Sequence, residues 1–311
     1  MTIDNEMLKL VEVSKMYYEE NKTQAEIAKI LGVSRPLISK MLNRAKEIGI
    51  VKIEIRELFS SNDLLMNQIK DIFSIKGGLI VPEAKTEYIT QQTILSHGIK
   101  YIKEELNKVS NVGIGWGYTI GNIMEEMQKS DDNCTFKGEV YPLVGMANIP
   151  NKGYHPNELI SVFSNSTGFS PVFLYAPAFP TSSEERDIYL KTENYQSIEK
   201  KWDNIDTVIL SIDNYPQVPD QATAIRFGKK LTKEKAVGSF LSYYFNKDGE
   251  IIKSDNDYVI QIPLEKLKKA KKVIAICSDT SVGAITGALK TGYITHIITD
   301  EKKATQIIIN K

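Results

Sequence analysis

The sequence predicts an α/β protein of two domains, a small helical one in the first sixty residues and a larger, doubly wound one after it. Three observations carry that expectation. The chain has 311 residues, more than one ordinary domain holds. Apolar residues near the N-terminus fall at helical spacing in short blocks, whereas from Lys76 onward strand-like apolar runs alternate with helical patterns. Such alternation argues for a largely parallel sheet covered by helices on both faces.

Composition narrows the function classes. The chain is 42% hydrophobic and 25% charged, as globular proteins are, and no stretch reaches the roughly 18 uninterrupted apolar residues of a membrane span. Met1 to Glu20 carries Asp4, Glu6, Glu12, Glu19 and Glu20, unlike a signal peptide, so a cytoplasmic protein without a membrane partner is expected. Cys134 and Cys277 lie far apart with no His in ligand spacing, which indicates neither a disulfide framework nor a metal site. No cofactor is expected. Net charge is zero, yet Lys22 to Arg56 holds eight basic residues against three glutamates, so one end of the chain is electropositive.

In that end, Ile27, Ala28 and Leu31 form one helical block, and Ile38, Met41, Leu42 and Ala45 another. Thr23 and Glu26 have the spacing of a capping box, with Gln24 opening the first helix. Ser34 is placed to cap the second helix, with Pro36 in its first turn, and Gly32 supplies the positive φ of the turn between them. Val33 and Ile38 are expected to close a small core, buttressed by an earlier helix through Leu8, Val11, Met16 and Tyr17. This is the layout of a helix-turn-helix, although an ordinary αα-hairpin has similar punctuation. The second helix favours DNA because its outer face offers Ser34, Arg35, Ser39, Lys40, Asn43 and Arg44, donors suited to phosphates and base edges. After Gly49, Ile50 to Arg56 alternates like a half-exposed strand and reads as a wing. The expected domains are a winged helix-turn-helix over 1–57, a linker or oligomerisation helix over 58–75 with Leu64, Leu65, Ile69, Ile72 and Phe73 on one face, and the α/β domain over 76–311.

Within the larger domain, strands are expected at Leu79–Val81, Val112–Gly115, Val140–Val144, Val172–Tyr175, Thr207–Leu210, Val273–Ile276 and Ile297–Ile298. Helices are expected near Glu87–Leu106, Ile120–Met127, Asn157–Ser164, Glu184–Leu190 and Ile285–Leu289. The most informative segment is VGIGWGYTIG, Val112 to Gly121, a strand running through a glycine-rich turn into a helix. Amides at such a helix start can cradle a phosphate or carboxylate, with Thr119 adding a hydroxyl. The same glycines would also serve a tight turn alone. No acidic residue follows a second strand as a nicotinamide site would need.

Met16 to Val51, MYYEENKTQAEIAKILGVSRPLISKMLNRAKEIGIV, resembles the DNA-binding domain of SorC/DeoR-type sugar-responsive transcription regulators. GIGWGYT, YAPAFPTSSEERDIYL, WDNIDTVILSID, AVGSFLSYYFNKDG and ALKTGYITHIITDEKKA resemble successive landmarks of the effector domain in the same family. The resemblance implies a fold similar to ribose-phosphate isomerases and glucosamine-phosphate deaminases. It also implies phosphorylated-sugar control of affinity for double-stranded operator DNA, with DNA contact at Arg35, Ser39, Lys40 and Arg44. Gly115, Trp116, Gly117, Tyr118 and Thr119 would line one side of the effector pocket, and a homodimer or homotetramer would span paired half-sites.

Three segments depart from that family's pattern. Val-Gly-Asp becomes Val237-Gly238-Ser239, Gly-Gly-x-x-Lys becomes Cys277-Ser278-Asp279-Thr280-Ser281, and Gly-Ile-Gly becomes Ser211-Ile212-Asp213. Losing a lysine opposite an anion costs about 1.5–3 kcal/mol, one to two decades of affinity. The effector is therefore open between a sugar phosphate and another metabolite or signalling molecule. Asp213, Ser239, Asp279 and Ser281 are candidate polar contacts, and Arg186 or Arg226 is a replacement cation. An enzyme with isomerase or deaminase chemistry is the alternative, but His97, His155 and His296 form no local constellation and no nucleophile-base pair is visible. A protein-interaction module that has lost its pocket is a third reading.

Overall fold

The computed structural model describes residues 3–51, 61–107, 109–129, 135–147, 152–216, 221–255 and 257–310. The chain divides into two compact units, Met1–Leu58 and Phe59–Lys311. Cys134 and the expected wing from Lys52 onward lie outside the described residues.

The first unit contains α1 (Ile3–Tyr18), α2 (Gln24–Leu31) and α3 (Arg35–Glu47). The Thr23 hydroxyl accepts the Glu26 N–H at 3.3 Å and the Glu26 carboxylate accepts the Thr23 N–H at 2.8 Å, completing the capping box. Gly32 takes φ 66° and closes the turn with its N–H on the Ala28 carbonyl. Ser34 has the extended backbone of a cap, but its hydroxyl accepts no N–H. The reason is local: Pro36 has no N–H, and the Leu37 N–H is taken by the Ser34 carbonyl at 3.0 Å.

Val13, Ile27, Ala28, Ile38 and Leu42 form the core of this unit, with Met16, Tyr17, Leu31 and Met41 packed around it. Leu8 and Val33 are corrections to the expected core. Leu8 is 66% exposed because α1 turns Leu10 and Val13 inward instead, and Val33, just past the left-handed glycine, stays outside while its N–H bonds back to Ala28.

The second unit opens with α4 (Ser61–Phe73), which packs on β1 (Gly77–Val81) and buries Met66 and Ile69. The helix packs within the α/β unit on that face, while Leu64 on another face is exposed. Next come α5 (Glu87–Glu105), β2 (Asn111–Ile114), α6 (Tyr118–Lys129), β3 (Glu139–Pro142), α7 (Pro156–Thr167) and β4 (Ser170–Pro171). Then α8 (Ser183–Leu190) and α9 (Glu193–Trp202) lead to β5 (Thr207–Ser211) and β6 (Asp213–Asn214). Short helices α10 (Gln221–Phe227) and α11 (Lys230–Lys233) precede β7 (Ala236–Phe240), β8 (Tyr243–Asn246) and β9 (Ile251–Ile252). The chain finishes with α12 (Leu264–Leu267), β10 (Lys272–Ile276), α13 (Val282–Lys290), β11 (His296–Asp300) and α14 (Glu301–Ile309).

Seven strands form a parallel sheet in the order β1-β11-β10-β5-β2-β3-β4. Strand alternation splits its side chains between two cores. Val208 and Leu210 of β5 and Val273 and Ala275 of β10 join the core with Met66, Trp202 and Ala304. Ile209, Ile274 and Ile276 face the core of α5, α6 and α7, with Ile94, Ile123 and Phe163. Both faces are thus covered, as the apolar runs require. A four-stranded antiparallel sheet, β6-β7-β8-β9, follows directly from the end of β5. Its short strands have too few alternating positions to register as a periodicity, and the sequence expectation omits them along with α9 and α14.

Val172–Tyr175 is a further correction, since regular pairing stops at Pro171. Two asparagines take the backbone groups that a neighbouring strand would have used. Asn157 brackets Leu174 through its N–H and carbonyl, at 3.2 and 3.0 Å, and Asn194 bonds the Phe173 carbonyl and the Tyr175 N–H, at 2.8 and 2.9 Å. Asn157→Ala should therefore cost about 1–3 kcal/mol by stranding part-buried backbone groups. Chemical denaturation should show a lower midpoint at unchanged slope.

Candidate functional site

The α/β unit supplies a crevice where its winding reverses. From β2 the chain adds β3 and β4 on one side, then returns to place β5 on the other. In open α/β sheets, ligands occupy the crevice outside the carboxyl ends of the strands at such a switch. Here those ends are Gly115–Gly117 after β2 and Ser211–Asp213 after β5, with Cys277–Thr280 beside them after β10.

The glycine-rich turn has two distinct features. The Gly115 N–H bonds the Ile209 carbonyl at 2.8 Å, and a β-carbon there would lie 3.2 Å from Leu210 and 3.3 Å from Leu241, so the turn sits tightly against β5. Gly117 has φ 108°, where side chains are strained, and a β-carbon there would meet only the Ser211 Oγ, at 3.9 Å. Space therefore opens above Gly117. Among the described residues no protein group takes the amides of Gly117, Tyr118 or Thr119, which begin α6. Thr119 is buried, with its hydroxyl 3.4 Å from that of Ser278. Trp116 lies against Phe179, ring centroids 5.9 Å apart, while Tyr118 is exposed and meets Tyr154 edge to face.

The remaining expected residues separate into three groups. Asp213 and Ser239 are cross-strand partners on β6 and β7. Asp213 keeps some exposed surface yet is ringed by protein, and this burial pushes its carboxyl up to about 6 against the opposing pull of the Ser211 hydroxyl. Asp279 and Ser281 serve the loop itself: Asn214 donates to the Asp279 carbonyl at 2.8 Å and accepts the Ser281 N–H at 2.7 Å. The Ser281 hydroxyl caps α13 by accepting the Ala284 N–H.

Of the two arginines, Arg186 on α8 bonds Asp187 at 2.8 Å and lies over the Tyr258 ring. Arg226 on α10 is buried, bonds Asp257 and the Ser242 carbonyl at 3.2 Å, and lies over Phe227 and Phe179. Its Nε and the Ser242 Oγ are buried without a partner. Through Phe179, which lies against Trp116, Arg226 is tied to the glycine-rich turn.

Sequence reasoning missed two groups. Lys303 pairs with buried Asp300 at 2.9 Å and donates to the Ser278 carbonyl at 2.9 Å, placing a cation beside the β10 loop. Its position in an unremarkable terminal helix gave no signal. The second is Leu37, 44% exposed on α3 between Arg35 and Lys40. On that helix Ile38, Leu42 and Ala45 are buried, leaving Ser34, Arg35, Pro36, Lys40, Asn43 and Arg44 exposed and Ser39 half-buried. Arg44 pairs with Glu47 at 3.2 Å, whereas Arg35 and Lys40 have no carboxylate partner among the described residues. Thr23 is exposed and Gln24 half-buried at the start of α2.

A cavity of about 700 Å³ opens elsewhere, at the amino ends of the strands between α5 and α6, lined by Ile99, Lys103, Glu126 and Phe136. It borders residues outside the described set and lies away from the carboxyl ends of the strands.

A protein-family model named Sugar-bind, described as "Putative sugar-binding domain", matches residues 58–309. The chain belongs to the Sugar-bind family. The deoxyribonucleoside regulator of Bacillus subtilis is 26% identical over 308 residues, covering 96% of each chain. The sorbitol operon regulator of Klebsiella pneumoniae is 24% identical over 96% of this chain and 97% of its own. The crystal structure of full-length SorC from Klebsiella pneumoniae matches 96% of this Sugar-bind chain and 97% of its own, with TM-score 0.80 and 22% identity. These named relatives are regulators rather than enzymes, and the shared fold is the α/β one expected from the sequence.

Because Ser281 is a helix cap, Ser281→Ala should cost about 1 kcal/mol. Thermal melting should register a fall of about 2–4 °C.

Proposed function

We infer that this chain is a DNA-binding transcription regulator whose operator affinity is controlled by a small-molecule effector bound in the crevice of the α/β unit. The observation that carries the reading is the joining, in one chain, of a helix-turn-helix with unpaired basic residues on α3 and a Sugar-bind domain. DNA contact is assigned to Arg35, Ser39, Lys40 and Arg44, supported at the flanks by Thr23, Gln24, Ser34, Pro36 and Asn43. Leu37, exposed among them, suits contact with a thymine methyl group. Paired half-sites call for at least a homodimer.

The effector is a sugar phosphate or a related anionic metabolite. The free amides at Gly117–Thr119 suit its anionic end, and Arg226, with its unpartnered Nε, is better placed than Arg186 to supplement them. Names of the relatives, with deoxyribonucleoside and sorbitol among them, favour a carbohydrate. A non-phosphorylated ligand is the second reading, favoured by Ser281 standing where the related pattern has lysine. The effector shifts DNA affinity only through unequal affinity for the DNA-competent and DNA-incompetent states.

Two measurements test this. Lys40→Ala should weaken binding to a mixed-sequence duplex and reduce the slope of log K against log salt by about 0.9, without loss of thermal stability. An unchanged slope for both Lys40→Ala and Arg35→Ala would remove α3 as the DNA-reading helix. A thermal-shift screen of phosphorylated sugars, their unphosphorylated counterparts and inorganic phosphate should show stabilisation by a phosphorylated sugar. Stabilisation by unphosphorylated compounds alone would establish the second reading instead.

A further inference from the structure

Asp213 stands two residues beyond the end of β5, opposite Ser239 in the antiparallel β6–β7 pair. Directly opposed residues in such a pair send their side chains to the same face, with β-carbons about 5 Å apart. The Ser211 hydroxyl, two residues before Asp213, favours the charged carboxylate, and that same hydroxyl oxygen lies 3.9 Å from the β-carbon position of Gly117. A short path therefore links the carboxylate to the open amides of the glycine-rich turn.

No cation among the described residues compensates Asp213. Lys303, the cation beside the adjoining loop, is committed to Asp300 and the Ser278 carbonyl, and Arg226 is committed to Asp257 and the Ser242 carbonyl. Cys277 is buried, and burial pushes its thiol far up, so that it offers no charge. A carboxylate enclosed without a counter-ion is a cost to the folded state, the pattern of a group kept for binding.

We propose that Asp213 reads the hydroxyl end of the effector: the acid expected on β7, where this chain has Ser239, has crossed to the paired position on β6. In that place it accepts hydrogen bonds from a polyhydroxylated ligand whose anionic end rests on the amides of Gly117–Thr119. Ser211 and Ser239, hydroxyls that both donate and accept, flank the carboxylate and match adjacent hydroxyls on a ligand. A ligand ammonium would favour a second carboxylate or a cluster of carbonyls instead. This assignment rests on the crevice being the effector site.

The test uses the full-length protein and two variants, Asp213→Asn and the exchange Asp213→Gly with Ser239→Asp. Without ligand, the folded-state rise from an ordinary 3.8 to about 6 means that the parent loses stability as pH climbs from about 4 through 6. Asp213→Asn should remove that slope and melt no lower than the parent at pH 7.5. A clear fall in its melting temperature would show a structural carboxylate and overturn the proposal alone.

With ligand, ribose 5-phosphate and glucose 6-phosphate are compared with propyl phosphate, which carries the anion without the hydroxyls, and with inorganic phosphate. The parent should prefer a hydroxylated phosphate. Asp213→Asn should lose that preference by about tenfold while keeping its response to propyl phosphate, and the exchange variant should regain it. Undiminished preference in Asp213→Asn would overturn the proposal and leave the crevice reading intact. If the parent responds to none of the four, the crevice reading falls and this assignment falls with it.

Discussion

The structure depends on β5 being paired on both sides, with β2 and with β10, while its two faces are buried in separate cores. A parallel strand in that position can expose only its ends. At the amino end, Asp206 fastens three strands together: its carboxylate accepts the Ser110 and Asn111 N–H groups at 3.1 Å and the Lys271 ammonium at 2.6 Å, and its carbonyl accepts the Lys272 N–H. Burial opposes that charge, but Lys271 and the two amides hold the carboxyl below its usual range. With one end pinned, variation and ligand chemistry collect at the other, where Gly115–Thr119, Ser211–Asp213 and Cys277–Ser281 converge.

The helical unit follows a different logic. Its few core side chains cannot specify much by packing alone, so local signals carry more of the burden. The Thr23–Glu26 box and the left-handed Gly32 fix the ends of α2 independently of any partner. This leaves α3 free to spend its outer face on Arg35, Lys40, Asn43 and Arg44. Of these, Arg35 and Lys40 have no carboxylate partner among the described residues, and basic groups left so cost little when solvated.

Charge is handled in opposite ways at the two sites. On α3 it is exposed and redundant, so no single residue defines the surface. In the crevice it is enclosed and sparse among the described residues: a carboxylate with no counter-ion there, an arginine already engaged, and a row of amides. Enclosed groups of this kind discriminate between ligands because each must find a partner on binding or remain unsatisfied.

The sequence by itself determined the helices α2 and α3 with the glycine turn between them, the parallel strands β1, β2, β3, β5, β10 and β11, and the glycine-rich turn. Each rests on periodicity, capping or a positive φ, properties of residues adjacent along the chain. Tertiary structure alone decided which of the distant residues meet. Asp213 and Ser239 become partners only through strand pairing, and Ser281 proves to be a helix cap. Arg226 reaches the turn through Phe179, and Lys303 arrives from the last helix. The stretch Val172–Tyr175 looks like a strand in sequence but gives its backbone to Asn157 and Asn194, because hydrogen-bond partners remote in sequence leave no mark on local hydrophobic spacing.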